Sequence, residues 1–344
     1  MLPPVWSVDE ALDRLSAPYA SEDFSALTGE PAFCVDFGRA RAEASADQLS
    51  AAGRSLWRLP CPALALCAEP PAGALGDWAA RFDVVVGGRD DLEEIVAMAR
   101  QHPLASMSLV QLLRQGESLD VPQALLAESW VYSTLQSGPE FAAWRAARGA
   151  PPGLAPHSEP AVQVERWGRS LALTLNRPEK HNAFSTAIRD ALVEALRPAL
   201  VDPALDEIVV RGRGPSFCSG GDLDEFGTLP DPATAHAVRS TRNAALLIHD
   251  LADRIRFEVH GACIGAGVEL PAFSRRVEAR EDAFFQLPEL QLGLVPGAGG
   301  TASVPRRIGR QRTAWLALTG RRIDAPTAQQ WGLVDEVLLS RADA

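Results

Sequence analysis

Twelve residues, GAPPGLAPHSEP (Gly149–Pro160), constrain this chain most. Their four prolines and two glycines deny the backbone both helix and central strand, because Pro has no N–H to give and Gly loses the most entropy on being ordered. The segment reads as a linker. At 344 residues the chain is about twice the size of one domain, so a boundary is expected. The resulting division is residues 1–150, a linker at 151–160, and residues 161–344.

The two sides of the linker carry different patterns. Before it, Asp91–Arg100 places Leu92, Ile95, Val96 and Ala99 at helical spacing. Further helices are expected at Pro103–Arg114, at Asp120–Leu135 with Asp120 as N-cap, and at Glu140–Ala147 between Gly138 and Gly149. Upstream, PALALCAEP (Pro62–Pro70) and DVVVG (Asp83–Gly87) read as short buried strands. After the linker, strands starting near Val162, Ser170, Glu207, Arg254 and Arg275 alternate with helical patterns at Thr186–Leu200 and Ala233–Ala252. Such alternation predicts a layered α/β fold.

Two glycine-rich turns interrupt this alternation. FCSGGDL (Phe217–Leu223) follows the strand EIVVRG, and GACIGAGVEL (Gly261–Leu270) follows RIRFEVH. Each reads as a strand entering a tight turn and a helix N-terminus, where N–H groups lack helical partners and the helix dipole is positive. Two such turns brought together would form an oxyanion hole for a thioester carbonyl that gains enolate character. Either turn alone is more often tight packing than catalysis.

Five boxes in order carry a resemblance to the crotonase (enoyl-CoA hydratase/isomerase) superfamily. They are LNRPEKHNAF (Leu175–Phe184), FCSGGDLDEF (Phe217–Phe226), HGACIGAGVEL (His260–Leu270), EDAFFQLPELQLGLVPGAGGT (Glu281–Thr301) and WGLVDEVL (Trp331–Leu338). The resemblance implies a spiral of ββα units and an enoyl-CoA hydratase, a lyase that adds water to a 2-enoyl-CoA or removes it in reverse. It assigns the oxyanion hole to the N–H groups of Gly221 and Ala266, water activation at C3 to Glu269, and C2 proton exchange to Glu289. Two carboxyls sharing one water can serve as base and acid, because their proximity splits their protonation states. Substrate contacts are expected at His181, Ala183, Asp222, Leu223 and Asp224, with Asp222 also read as a helix cap. The partner implied is an acyl-CoA thioester, with no cofactor beyond substrate CoA and no metal. A homo-oligomer, trimer or dimer of trimers, is implied as well. Other readings are an enoyl-CoA isomerase, another acyl-CoA chemistry of the superfamily such as a hydrolase, and a non-catalytic acyl-CoA-binding subunit.

The chain also departs from the family pattern. Ala266 replaces the usual middle glycine, which is compatible with function if its φ is negative. Pro271 and Ser274-Arg275 replace the usual small residues after the second box. Family members continue for helices beyond GLVDEV, whereas the segment resembling those helices here lies near residues 91–148, before the linker. Just upstream, LPCPALALCAEPPAGALGDWAARFDVVV (Leu59–Val86) aligns with the second box, placing Asp77 at the glutamate position. The N-terminal part therefore reads as a degenerate crotonase-like half-module ending in helices that cover the catalytic core.

Composition narrows the partners. The 33 basic residues against 44 acidic ones give a net charge of −11, which argues against nucleic acid and anionic membranes. An anionic small ligand remains compatible, since backbone dipoles can hold it. The opening MLPPVWSVDEALDRL lacks a secretory pattern, and no apolar run is long enough to span a bilayer. Five scattered cysteines without metal-type spacing point to reduced, buried thiols and a cytoplasmic setting.

Overall fold

The computed structural model describes residues 3–27, 30–39, 44–69, 71–149 and 159–338. They form two compact units. One is Met1–Glu117 with Arg310–Gly320; the other is Ser118–Gly309 with Arg321–Ala344. The division falls after Glu117, not at the Pro-rich segment, of which residues 150–158 lie outside those described. The reason is burial. Helices Val121–Gln136 and Pro139–Arg148 bury Val121, Ala124, Leu125, Tyr132 and Phe141 within the second unit.

The first unit holds a parallel sheet of Val5–Ser7, Phe33–Asp36, Ala63–Leu66 and Val84–Val86, in chain order. Helices Val8–Ser16 and Ala46–Arg58 begin in capping boxes, Ser7 with Glu10 and Ser45 with Gln48. Their apolar stripes meet a core containing Phe33, Trp78 and Phe82, the last two edge to face at 5.1 Å. Both strands expected here appear, as do helices Arg89–Gln101 and Pro103–Gly116; the strands before residue 40 had no sequence signal.

One detail corrects the alignment of this unit. Asp83 donates its N–H to the Ala63 carbonyl at 2.9 Å and accepts the Ala63 N–H at 2.8 Å. Asp335 makes the same exchange with Val277, at 2.9 and 2.7 Å. The first unit thus repeats the last strand pair of the second, not its second glycine box. Asp77 is exposed on helix Gly73–Ala79 and is not a counterpart of a buried glutamate.

The second unit contains a six-stranded sheet. Its order is Glu336–Leu338, Arg276–Arg280, Ile255–Val259, Glu207–Gly212, Ser170–Leu175 and Val162–Trp167. All neighbours are parallel except the last two, which form a hairpin. Ser170–Leu175 buries Leu171, Ala172, Leu173 and Leu175, on both faces, as an inner strand covered on both sides should. A second sheet joins Ala262–Ile264, Phe284–Gln286 and Ile323–Asp324. Strand, short strand and helix therefore recur as ββα turns of a spiral. The five strands expected after the linker are present. The single helix expected at Ala233–Ala252 is two, Pro232–Thr241 and Ala244–Asp250, because Asn243 caps the second one. No helix among the described residues is long and apolar enough to cross a membrane.

Candidate active site

The two glycine-rich turns meet through parallel backbone pairing at Cys218 and Cys263, where the Cys218 N–H donates to the Ala262 carbonyl and the Ile264 N–H to the Cys218 carbonyl. In the first, Gly220 takes φ +94°. Phe184 donates its N–H to the Gly220 carbonyl at 2.6 Å, and Asp222 donates to the Phe184 carbonyl at 3.1 Å. Between those two bonds the Gly221 N–H has no backbone acceptor among the described residues. In the second turn, Gly265 at φ +50° opens helix Ala266–Glu269. The Ala266 N–H sits at the first helical position, where no intrahelical acceptor exists. Ala266 is not among the positive-φ residues, so its methyl group is accommodated. A Cβ on Gly265 would lie 2.5 Å from Glu289 Oε1, so glycine serves both backbone shape and the approach of that carboxyl.

A helix was expected after each turn, but only the second has one. Residues 223–227 form turns, and Asp222 does not cap a helix. Its buried carboxylate takes Lys180 Nζ at 3.0 Å and the Asp224 N–H at 3.2 Å, with Arg177 at 3.6 Å.

Gly221, Asp222, Ala266, Glu269 and Glu289 line one cavity of about 350 Å³. His181, Ala183, Leu223 and Asp224 are not in its wall. His181 is in the left-handed region and pairs with Ser216 Oγ at 3.0 Å, while Ala183 is buried. Leu223 is partly exposed, and Asp224 bridges Lys180 and Arg148. The neighbouring Asn182 is wholly buried and spans Arg177, Arg213 and Ser216 by hydrogen bonds, a loop-fixing role.

Three buried carboxyls influence one another electrostatically in this region. Glu269 Oε2 accepts the N–H groups of Ala298 at 2.7 Å and Gly300 at 2.8 Å. Glu289 Oε2 is buried without a hydrogen-bond partner. The third is Glu128, whose oxygens accept from Gly299 N–H at 2.7 Å, Thr301 N–H at 2.9 Å and Thr301 Oγ1 at 2.7 Å. Glu269 and Glu128 thus both sit on the N-terminus of helix Gly300–Ile308, each taking alternate N–H groups. Burial raises all three above the ordinary carboxyl value, Glu128 to about 7 and Glu289 to about 8. Glu269 is also raised well above it by burial, with Glu289 and Glu128 adding like-charge repulsion.

The sequence reading missed Glu128, Tyr132 and Arg239. A signal existed for the first two. In helix Val121–Gln136 the buried face runs Val121, Ala124, Leu125, Glu128, Tyr132 and Leu135, so Glu128 is an acid placed in an apolar stripe. Arg239 carried none, since its place in the cavity wall depends on the packing of two distant helices. The cysteines are buried thiols; burial pushes Cys218 up to about 12, which makes it unreactive.

The family model described as Enoyl-CoA hydratase/isomerase matches residues 169–342, just over half of the chain. The chain belongs to this family, within the crotonase superfamily. Among curated relatives, the 2,3-dehydroadipyl-CoA hydratase of Escherichia coli (strain K12) is 38% identical over 177 residues, 52% of this chain and 69% of that protein. The mevalonyl-coenzyme A hydratase of Aspergillus fumigatus is 36% identical over 49% of this chain and 62% of its own length. Among solved structures, an enoyl-CoA hydratase from Mycobacterium smegmatis superposes with a TM-score of 0.50 at 32% identity, covering 54% of this chain and 72% of that one.

Proposed function

We propose that the protein hydrates 2-enoyl-CoA thioesters, or dehydrates 3-hydroxyacyl-CoAs in reverse, using Glu269 and Glu289. One observation carries the reading: two raised carboxyls and two backbone N–H groups without backbone acceptors line the same cavity. The Gly221 and Ala266 N–H groups hold the thioester oxygen and stabilise the negative charge it gains when C3 is attacked. Burial and its acidic neighbours raise Glu269 too, but its Oε2 accepts two N–H groups that favour the charged form, whereas one Glu289 oxygen has no donor. Of the two, Glu269 acts as the carboxylate. It takes a proton from water as the hydroxyl oxygen bonds to C3. Glu289, raised to about 8 by burial, is the protonated partner and delivers its proton to C2. The pair is then reset by passing the proton from Glu269 to Glu289. The step consumes one water with no net change in protons or oxidation state, so it needs no redox cofactor.

The relatives named as hydratases of acyl-CoA esters support the substrate class. The test is incubation of purified full-length protein with short, long and aryl 2-enoyl-CoAs, followed by mass spectrometry. Addition of one water is the expected outcome. A shifted double bond at unchanged mass would make the protein an isomerase, and inertness towards every ester would sink the enzymatic reading.

A further inference from the structure

The same cavity contains a guanidinium that the proposed chemistry does not use. Arg239, on helix Pro232–Thr241, lies in the cavity wall with Tyr132 and Gln136. It is well fixed. Its Nε donates to Ser129 Oγ at 3.0 Å, and its Nη2 donates to the Ser129 carbonyl at 3.2 Å and to Ser133 Oγ. Its Nη1 has a long bond of 3.5 Å to Gln136 Oε1. The guanidinium carbon stands 4.8 Å from the centroid of the Tyr132 ring. Every one of these partners is neutral. No carboxylate lies within 4 Å of Arg239 among the described residues. Glu128 faces it electrostatically, but its oxygens are already taken by Gly299 and Thr301.

A largely buried cation without a counter-ion is costly, and the N–H edge at Nη1 is under-used. Arginine presents its donors as a fixed fork suited to a carboxylate. The position matches such a use. The Tyr132 ring packs against Arg239 on one side, and its edge meets Gly297 so closely that a Cβ there would lie 2.3 Å from it. Gly297 adjoins Ala298, whose N–H holds Glu269. Arg239 therefore stands one aromatic ring beyond the loop whose N–H groups hold Glu269, in the wall of the same cavity.

We propose that Arg239 is a specificity subsite for a carboxylate at the far end of the acyl chain, so that the preferred substrates are CoA half-esters of short dicarboxylic acids. The inference rests on the acyl-CoA reading above but not on the hydration step. It is tested by binding, using saturated esters that cannot be hydrated: the mono-CoA thioester of hexanedioic acid, hexanoyl-CoA and free CoA, titrated calorimetrically into the full-length protein. The wild type should bind the dicarboxylic half-ester more tightly than hexanoyl-CoA. In Arg239→Gln that preference, as a ratio of Kd values, should fall on the order of 100-fold, with partial recovery in Arg239→Lys. Circular dichroism of each variant establishes that it is folded. Equal wild-type affinity for the two esters overturns the subsite and leaves the hydratase reading standing. An equal loss of affinity for free CoA in Arg239→Gln overturns it too, by showing that Arg239 meets the CoA phosphates. If neither ester binds, both the acyl-CoA reading and the subsite fall.

Discussion

Buried acids are handled in opposite ways at Asp83 in the first unit and in the glutamate cluster of the second. In the first, Asp83 is 1% exposed and contacts two guanidinium groups, Arg114 at 2.5 Å and Arg310 at 3.0 Å. Arg114 also donates to the carbonyls of Leu59 and Cys61, and Arg310 to that of Phe82. In the second unit, Glu128, Glu269 and Glu289 have no cation within ion-pair distance among the described residues. Their donors are backbone N–H groups and a hydroxyl, and one Glu289 oxygen has none. An acid saturated by charge ties strands together. An acid buried without a cation keeps its proton into the neutral range and can exchange it. The same contrast separates a scaffold from a candidate site.

Replacing the unpaired acids should show the largest effects. Glu269→Gln and Glu289→Gln are each expected to lower kcat by roughly 10²–10⁴-fold, while Kd for a saturated acyl-CoA changes by only a few-fold. Near wild-type turnover in either variant removes that residue from the mechanism. The paired acid should instead govern stability. Asp83→Asn should cost about 3–5 kcal/mol in urea unfolding, since it leaves two buried guanidinium groups uncompensated. Its counterpart Asp335 pairs with Arg307 at 3.1 Å but is 39% exposed, so Asp335→Asn should cost only about 1 kcal/mol. Similar losses at both positions would break the comparison.

The backbone donors come next. Gly221→Pro removes one N–H and should cost about 3 kcal/mol in kcat/KM. Gly221→Ala is not expected to be silent, because the new Cβ would lie 2.6 Å from the Phe226 ring. A second change, Phe226→Leu, should restore activity if crowding is the cause.

Glu128→Gln sharpens the contrast on a smaller scale. One of its N–H donors would face an amide N–H instead of an oxygen, at a cost of about 1–3 kcal/mol of stability. Because Glu128 adds like charge to both other carboxyls, its loss should move the acid limb of the kcat/KM profile to lower pH. A limb that stays in place would mean that Glu128 only caps the helix. The smallest effect concerns pH and stability. Raised carboxyls bind protons in the folded state that the unfolded chain has already released. Stability should therefore fall as pH rises from about 4.5 through about 7 and 8, and Glu289→Gln should flatten that slope in urea titrations.

Much of the second unit was legible from local signals. Strands, turns and caps depend on near neighbours in sequence. The glycine boxes declared themselves because Gly265 must adopt φ +50° and leave room for Glu289. Glu269 and Glu289 were expected through the resemblance of their boxes, and both line one cavity. The domain boundary was not found, because prolines report where a chain cannot be regular, while a unit ends where its apolar faces end; Tyr132 and Phe141 decide that after Ser118. The Asp222 cap failed because turns and no helix follow it; its carboxylate instead holds the Asp224 N–H and Lys180, 42 residues away.

The sequence by itself determined the alternation of strands and helices and the two glycine-rich turns, since each is written in short-range pattern, while the spiral and the glutamate pair came through the resemblance of five boxes. Only the tertiary structure decided that Glu128 reaches Thr301 across 173 residues, that Arg239 has no carboxylate within 4 Å among the described residues, and that Asp83 repeats Asp335. Burial and charge pairing are sums over everything that surrounds a side chain, and they exist only after the distant segments have packed.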